Sequence, residues 1–258
     1  MLDTNQLADE IATAHLERRQ IATPSSRDPV FDLASAYAVE AELVRLRGAA
    51  GHGPVGRKVG YANKALWRVL KLDTVVWAHI YDDTVHYSRN GEASLSIDRM
   101  ISPKIEPEIV FKLKSAVGPD VLDACEWIAL GFEIIDCPFP EWRFQPADFV
   151  AAFGLHAALV VGEPRPVAPE MIDQLARFKV ALKRNGQLVE QGSGRNVLRS
   201  PALCLSELAA AATRREVPLA ASEIITTGTL TESTPIAPGE TWSAVVDGID
   251  LPDLTVRL

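Results

Sequence analysis

Lys104-Ile105-Glu106-Pro107-Glu108-Ile109-Val110 is the stretch on which the rest of the chain is organised. It reads as a β-strand, continued by Phe111 and Leu113. Alternate residues of a strand point to one face, so Glu106 and Glu108 project side by side. Two carboxylates that close repel unless a proton or a cation stands between them. Oxygen donors of this kind suit Mg²⁺, Mn²⁺ or Ca²⁺. Taken alone, the pair equally fits a solvated edge strand with two exposed acids.

Two flanking stretches shift that balance. Gly131-Phe132-Glu133-Ile134-Ile135-Asp136 is an apolar strand with an acid inside it. An acid in such a run needs a partner, which makes Glu133 a third member of the carboxylate set. By alternation Asp136 points away from Glu133 and is a structural candidate. Upstream, Val55-Gly56-Arg57-Lys58-Val59-Gly60 is a short strand bracketed by glycines. Lys58 is either exposed on one strand face or buried with a lowered pKa, in which case it can carry a proton. Arg57 points to the opposite face and is not assigned to a substrate.

The first 50 residues have a different texture. Leu7, Ala8, Ile11, Ala12 and Ala14 form one stripe at helical spacing, with Leu16 at its edge and His15 as a packing residue. Residues 23–29 read as a loop. Asp32 can cap a second helix that ends near Gly48. Asn63 can cap a short helix over Lys64–Leu70. Residues 78–87 read as one strand and 95–97 as another. Residues 119–129 read as a helix with Val121, Leu122, Cys125 and Ile128 inward. Residues 148–153 read as a short helix before a buried strand carrying His156. Asn185-Gly186 is a strong hairpin turn, Pro201–Arg214 a helix, and 223–227, 242–246 and 254–258 are closing strands. The expectation is an α+β chain: an N-terminal helical segment over 1–50 and a β-rich, curled or barrel-like body over 51–258 as one unit.

Composition excludes several classes. The net charge of −8 lacks the basic surface a general nucleic-acid binder needs. No apolar run reaches the length of a membrane span, and the N-terminus has neither the basic start nor the apolar core of a signal peptide. Cys125, Cys137 and Cys204 are odd in number, widely spaced and without a CxxC pair, which reads as reduced thiols in a cytoplasmic protein with no zinc site.

Five stretches carry a resemblance together: Gly56-Arg57-Lys58-Val59-Gly60; Ile105-Glu106-Pro107-Glu108-Ile109; Phe132-Glu133-Ile134-Ile135-Asp136; Gly192-Ser193-Gly194 with Val197-Leu198 and Pro201; and Thr227-Gly228-Thr229 followed by Pro238-Gly239-Glu240. In this order and spacing the chain resembles the fumarylacetoacetate hydrolase superfamily, in particular its branch of 2-keto-4-pentenoate hydratases and 4-oxalocrotonate decarboxylases of aromatic catabolism. The resemblance implies a β-roll with an N-terminal helical part. It implies that Glu106, Glu108 and Glu133 are ligands of Mg²⁺ or Mn²⁺, that Lys58 is the active-site lysine, and that Gly228 and Thr229 lie in the loop closing over substrate. It also implies a homo-oligomer, at least a dimer.

Two departures stand out. Val76-Trp77, followed by His79, replaces an acidic position of the hydratases. Ala152-Phe153-Gly154-Leu155, then His156, replaces an Asp-Asn-Ala-Ser segment. His156 is therefore read either as a core histidine bonded to a backbone carbonyl or as a catalytic base or water-positioning group, and His79 as a substrate-binding candidate. His52 and His86 are read as surface residues. The implied activity is a metal-dependent hydratase acting on a small 2-oxo or 2-hydroxydienoate acid. The alternatives are a vinylogous 2-oxo acid decarboxylase, an acylpyruvate C–C hydrolase, and a catalytically silent 2-oxo acid binder.

Overall fold

A computed structural model describes residues 2–258. In chain order its elements are α1 (Thr4–Leu16), α2 (Pro24–Arg27), α3 (Leu33–Ala49), β1 (Pro54–Gly60), α4 (Lys64–Leu70), β2 (Val76–Tyr81), β3 (Val85–Tyr87), β4 (Glu92–Ser94), β5 (Pro103–Leu113), β6 (Cys125–Asp136), α5 (Pro146–Ala151), β7 (His156–Val161), β8 (Arg165–Pro166), α6 (Met171–Arg177), β9 (Lys179–Arg184), β10 (Gln187–Ser193), α7 (Pro201–Arg214), β11 (Ile224–Thr226), β12 (Thr234–Pro235), β13 (Thr241–Asp247) and β14 (Leu254–Arg257).

Local chemistry accounts for the element ends. The Asp32 carboxylate accepts from the Ser35 N–H at 2.9 Å and starts α3, and Asn63 accepts from the Ala65 N–H at 3.0 Å to start α4. Pro201 occupies the first turn of α7, where its missing N–H costs nothing. Asn185 and Gly186 both have positive φ and join β9 to β10 in a tight hairpin.

Nine strands form one mixed sheet, along the path β2-β1-β11-β5-β6-β7-β3, with β12 on β5 and β8 on β6. Five strands form a second sheet in the order β10-β9-β13-β14-β4. The main core lies between the sheets and α7: Ile105, Ile109, Phe111, Ile128, Leu130, Phe132 and Ile134 meet Leu182, Trp242, Leu254 and Leu205 there. On the other face of the large sheet Ile80, Val110, Ala129, Leu159, Val161 and Ile224 form a separate apolar plug. Residues from five strands meet in that plug, which shows how strongly the sheet curls. The N-terminal helices bury Leu7, Ile11, Ala36, Val39 and Leu43 against Ile135, Cys137, Phe139 and α5.

Several sequence expectations change. Residues 119–129 are not a helix; a short 3-10 turn over Val121–Ala124 leads directly into β6. The helical spacing there is a coincidence: Val121 and Leu122 are buried by the turn and Cys125 and Ile128 by the strand, with the exposed Asp123 and Glu126 between them. The strand expected over 78–87 is broken at Asp82–Thr84, a 3-10 turn whose acids reach solvent. Residues 95–97 lie outside any strand, joined to β14 only where the Leu95 N–H donates to the Arg257 carbonyl, and the nearby strand is β4. The loop at 23–29 contains the single turn of α2.

Candidate active site

β5 and β6 are paired antiparallel along nearly their whole length, with Glu106 opposite Glu133 and Glu108 opposite Gly131. One face of this ribbon carries the core residues. The other carries Lys104, Glu106, Glu108 and Val110 from β5 and Ala129, Gly131, Glu133 and Ile135 from β6. Glu106, Glu108 and Glu133 thus offer carboxylate oxygens that all lie within 4.8 Å of one another. Glu108 and Glu133 are 0% exposed.

Pro107 stands between two of these carboxylates without weakening the ribbon. The Leu230 N–H donates to the Pro107 carbonyl, so this residue's backbone groups face the 227–231 loop rather than β6. The same loop supplies the Gly228 N–H, which donates to Glu108 Oε2 at 2.7 Å. Gly228 has φ +98, and a Cβ there would stand 2.9 Å from Ala62 Cβ. A left-handed backbone so close to a neighbour requires glycine.

Lys58 reaches the cluster from β1. Lys58 pairs with Ala78 of β2 while Arg57 pairs with His79, so the strand divides its two cations between faces. Lys58 is 2% exposed, with Nζ 3.0 Å from Glu133 Oε2 and 4.8 Å from the Phe149 ring centre. Arg57 sits over Trp77 on the opposite face, bonded to the Val217 carbonyl and paired with Glu223.

The charges shape each other. Burial pushes the Glu106 carboxyl up to about 7, against the pull of Lys58. Burial, then Glu133 and Glu106, hold Glu108 well above the usual carboxylate range. Burial also acts upward on Glu133, but Lys58 and the His156 hydrogen bond outweigh it and leave Glu133 below its ordinary value. Lys58 reverses the sequence expectation: burial acts to lower it, yet Glu133, Glu106 and Glu108 together hold it above the ordinary lysine value. Glu108 Oε1 is buried and has no hydrogen-bond partner. An orphaned carboxylate oxygen beside two further carboxylates, all hard donors, fits a divalent cation of the Mg²⁺ or Mn²⁺ type.

These groups open into a cavity of about 1180 Å³. Lys58, Lys104 and Glu106 line it beside the apolar side chains of Ile135, Phe149 and Leu155, with Thr229 at the loop. His156 lies behind Glu133, its Nδ1 2.8 Å from Glu133 Oε1 and its Nε2 2.9 Å from Thr84 Oγ1. His156 is a buried, hydrogen-bonded histidine, as its first reading has it, but its partners are two side chains instead of a backbone carbonyl, and it does not line the cavity. His79 is not brought to the cavity. It follows Arg57 to the other face of the sheet, where its Nδ1 lies 2.6 Å from Glu40 of α3. The cavity contribution of Lys104 was open to sequence reasoning, since it precedes Glu106 by two positions on the same strand face. Phe149, Tyr61 and Trp142, which also line the cavity, gave no such signal.

Residues 104–257 match the family model of the fumarylacetoacetate (FAA) hydrolase C-terminal region. The chain belongs to the fumarylacetoacetate hydrolase family. Among the family's characterised members it is 30% identical over 237 residues to 2-hydroxyhexa-2,4-dienoate hydratase of Comamonas testosteroni, covering 90% of this chain and 89% of the relative. It is 31% identical over 211 residues to 2-hydroxypent-2,4-dienoate hydratase of Pseudomonas putida, covering 80% and 93%. The fumarylacetoacetate hydrolase fold is matched over 100% of this chain by 4-oxalocrotonate decarboxylase from Pseudomonas putida G7, complexed with magnesium and adipate. That match has a TM-score of 0.90, 28% identity and 98% coverage of the solved chain.

Proposed function

We propose that this protein is a divalent-metal-dependent lyase acting on a small 2-oxo or 2-hydroxydienoate acid, with hydration as the reaction. The observation that carries the reading is the placement of the Lys58 ammonium, 3.0 Å from Glu133, on a buried cluster of three carboxylates that opens into a cavity. Glu106, Glu108 and Glu133 would hold the cation, Mg²⁺ or Mn²⁺. When bound, such an ion supplies polarisation of the 2-oxo oxygen and stabilisation of the enolate next to it. Lys58, 3.0 Å from Glu133, would give a proton to the substrate carbon skeleton as the enolate collapses and recover one from the water that adds. Phe149 and Leu155 exclude bulk water from that side of Lys58. The loop bearing Gly228 and Thr229 covers the substrate, tied down by the Gly228 to Glu108 hydrogen bond.

One observation favours a second reaction on the same site. The wall formed by Ile135, Phe149 and Leu155 carries no hydrogen-bonding side chain, and the polar side chains of the lining, such as Tyr61, Asn63, Asn196 and Thr229, come from other segments. Loss of CO₂ from a vinylogous 2-oxo acid needs no attacking water, only an electron sink and a proton donor.

Parallel incubation with 2-hydroxypenta-2,4-dienoate, 4-oxalocrotonate and an acylpyruvate, followed by product analysis, separates hydration, decarboxylation and C–C hydrolysis. Binding of these acids with Mg²⁺ but no change in any of them would identify a silent binder. Glu108→Ala is expected to abolish both turnover and metal binding; a variant that turns over normally removes the metal site from the mechanism. The reading includes a cytoplasmic homo-oligomer. No helix among the described residues is long and apolar enough to cross a membrane, and the three buried, unpaired cysteines support a reducing compartment. Sedimentation of the full chain tests the assembly.

A further inference from the structure

The pairing of β6 with β7 contains an irregularity beside the carboxylates. Glu133 lies opposite Leu159 and Ile134 opposite Ala158, but Ile135 lies opposite His156. One residue, Ala157, is left over. In an unbroken register Ile135 would face Ala157, and His156 would stand opposite Asp136 on the other face of the sheet. A one-residue slip turns a strand's side chains to the opposite face, and a bulge uses that slip to re-aim a single side chain. Here it turns His156 onto the carboxylate face. The approach to β7 is constrained as well. Phe153, Gly154 and Leu155 have φ values of 56, 59 and 58, a left-handed run that residues other than glycine adopt rarely.

At that position His156 is held from both sides. Its Nδ1 donates to Glu133 Oε1 at 2.8 Å; the proton belongs to the imidazole, because an ionised carboxylate only accepts. Its Nε2 lies 2.9 Å from Thr84 Oγ1, and the Thr84 hydroxyl donates to the Tyr81 carbonyl at 2.8 Å, at the end of β2. Glu133 is therefore held at Oε1 by the His156 hydrogen bond, while Oε2 faces the Lys58 ammonium at 3.0 Å as an ion pair. The directional bond, and so the plane of the carboxylate, depends on His156. Each carboxylate oxygen keeps further lone-pair directions for another partner.

We propose that His156 is a positioning residue: braced by Thr84, it sets the plane of the Glu133 carboxylate so that Glu133 converges with Glu106 and Glu108 on a divalent cation and holds Lys58 in register. The proposal rests on the metal reading above. It assigns His156 neither proton transfer nor contact with substrate. Removing the group that orients a ligating side chain typically weakens metal binding by about 10–100-fold.

The test is Mn²⁺ affinity of the full chain without substrate, read from the free-ion paramagnetic resonance signal, for the wild type, His156→Ala, His156→Asn and Thr84→Val. His156→Ala is expected to bind Mn²⁺ roughly 10–100-fold more weakly. His156→Asn, whose amide can donate to Glu133 from a similar place, is expected to recover most of that loss. Thr84→Val, at a half-buried turn, is expected to weaken binding with its melting temperature unchanged. A folded His156→Ala with wild-type affinity overturns the proposal, and so does a His156→Asn no better than the alanine. If His156→Ala does not fold, Thr84→Val decides, and wild-type affinity there overturns it. A wild-type protein that binds no Mn²⁺ instead overturns the metal reading, a result distinct from all of these.

Discussion

Gly154 offers a way to move Lys58 without touching a carboxylate. A Cβ at this position would stand 2.7 Å from Ala78 Cβ and 2.9 Å from Lys58 Cδ. Apolar carbons pack at about 3.5–4.0 Å, so Gly154→Ala creates two overlaps. Ala78 lies in β2 directly opposite Lys58 and has no rotamer with which to yield. The lysine stem yields instead, and Nζ moves away from Glu133. Two costs add. A left-handed φ of +59 costs a residue with a Cβ about 1–2 kcal/mol, and overpacking a close site costs about 1–3 kcal/mol. A total of about 2–5 kcal/mol lowers the melting temperature of a chain this long by roughly 5–15 °C. The chemical effect is separate: a displacement near 1 Å at a reacting group costs about 10²-fold in rate. We expect kcat to fall by that order and Mn²⁺ affinity to fall by much less, since the three atoms nearest the alanine belong to Ala78, Lys58 and Phe149 and Glu133 keeps its hydrogen bond from His156. Steady-state kinetics and metal titration on the same preparation provide the check. Wild-type kcat in a variant that melts normally would refute the packing argument, and equal losses in kcat and metal affinity would refute the separation of Lys58 from the ligand set.

Two further predictions concern protons. Burial raises Glu106 to about 7 and raises Glu108 well above its usual range, so in the metal-free protein both carboxyls take up protons more readily than free glutamates and a cation competes with those protons. Metal binding should release protons, and affinity should fall as pH drops through 7; calorimetry in buffers of different ionisation enthalpy measures the release, and no buffer dependence would contradict it. Asp136 accepts the backbone N–H groups of Ile101 and Ser102. Burial acts to raise its carboxyl, but the His15 imidazole 3.7 Å away and these two N–H groups leave it below the ordinary aspartate value. A depressed folded-state pKa contributes stability above the unfolded value that is lost as pH falls through the folded one. Asp136→Asn should therefore cost about 1–3 kcal/mol at pH 7, and urea unfolding should show the gap to wild type closing in acid; a gap that persists there would contradict the linkage.

The carboxylate cluster was legible because two independent signals met: strand alternation at Glu106 and Glu108, and an acid in an apolar run at Glu133. The caps at Asp32 and Asn63 and the Asn185-Gly186 turn were legible for local reasons, since each acts within three residues of itself. What escaped depends on distant chain. The role of His156 turns on a bulge, and a one-residue register slip leaves no trace in composition. Thr84 gains its place only when β3 pairs with β7. The fate of His79 followed from the same alternation that separates Arg57 from Lys58, but only once the β1–β2 register was known. The misread segment at 119–129 shows the limit of periodicity where a turn passes into a strand and the apolar residues at helical spacing belong to both.

The ribbon of β5 and β6 also bears on the order in which the molecule assembles. All three carboxylates lie on one antiparallel pair, so closing a single connection brings them together. The Gly228 loop, 120 residues from Glu108, and Lys58, on a strand that joins β5 only through β11, depend on more distant closures, which form slowly. If the ribbon closes first, three converging acids stand together before their lysine arrives, and a divalent ion that screens them would speed refolding; refolding rates with and without Mg²⁺ test that order.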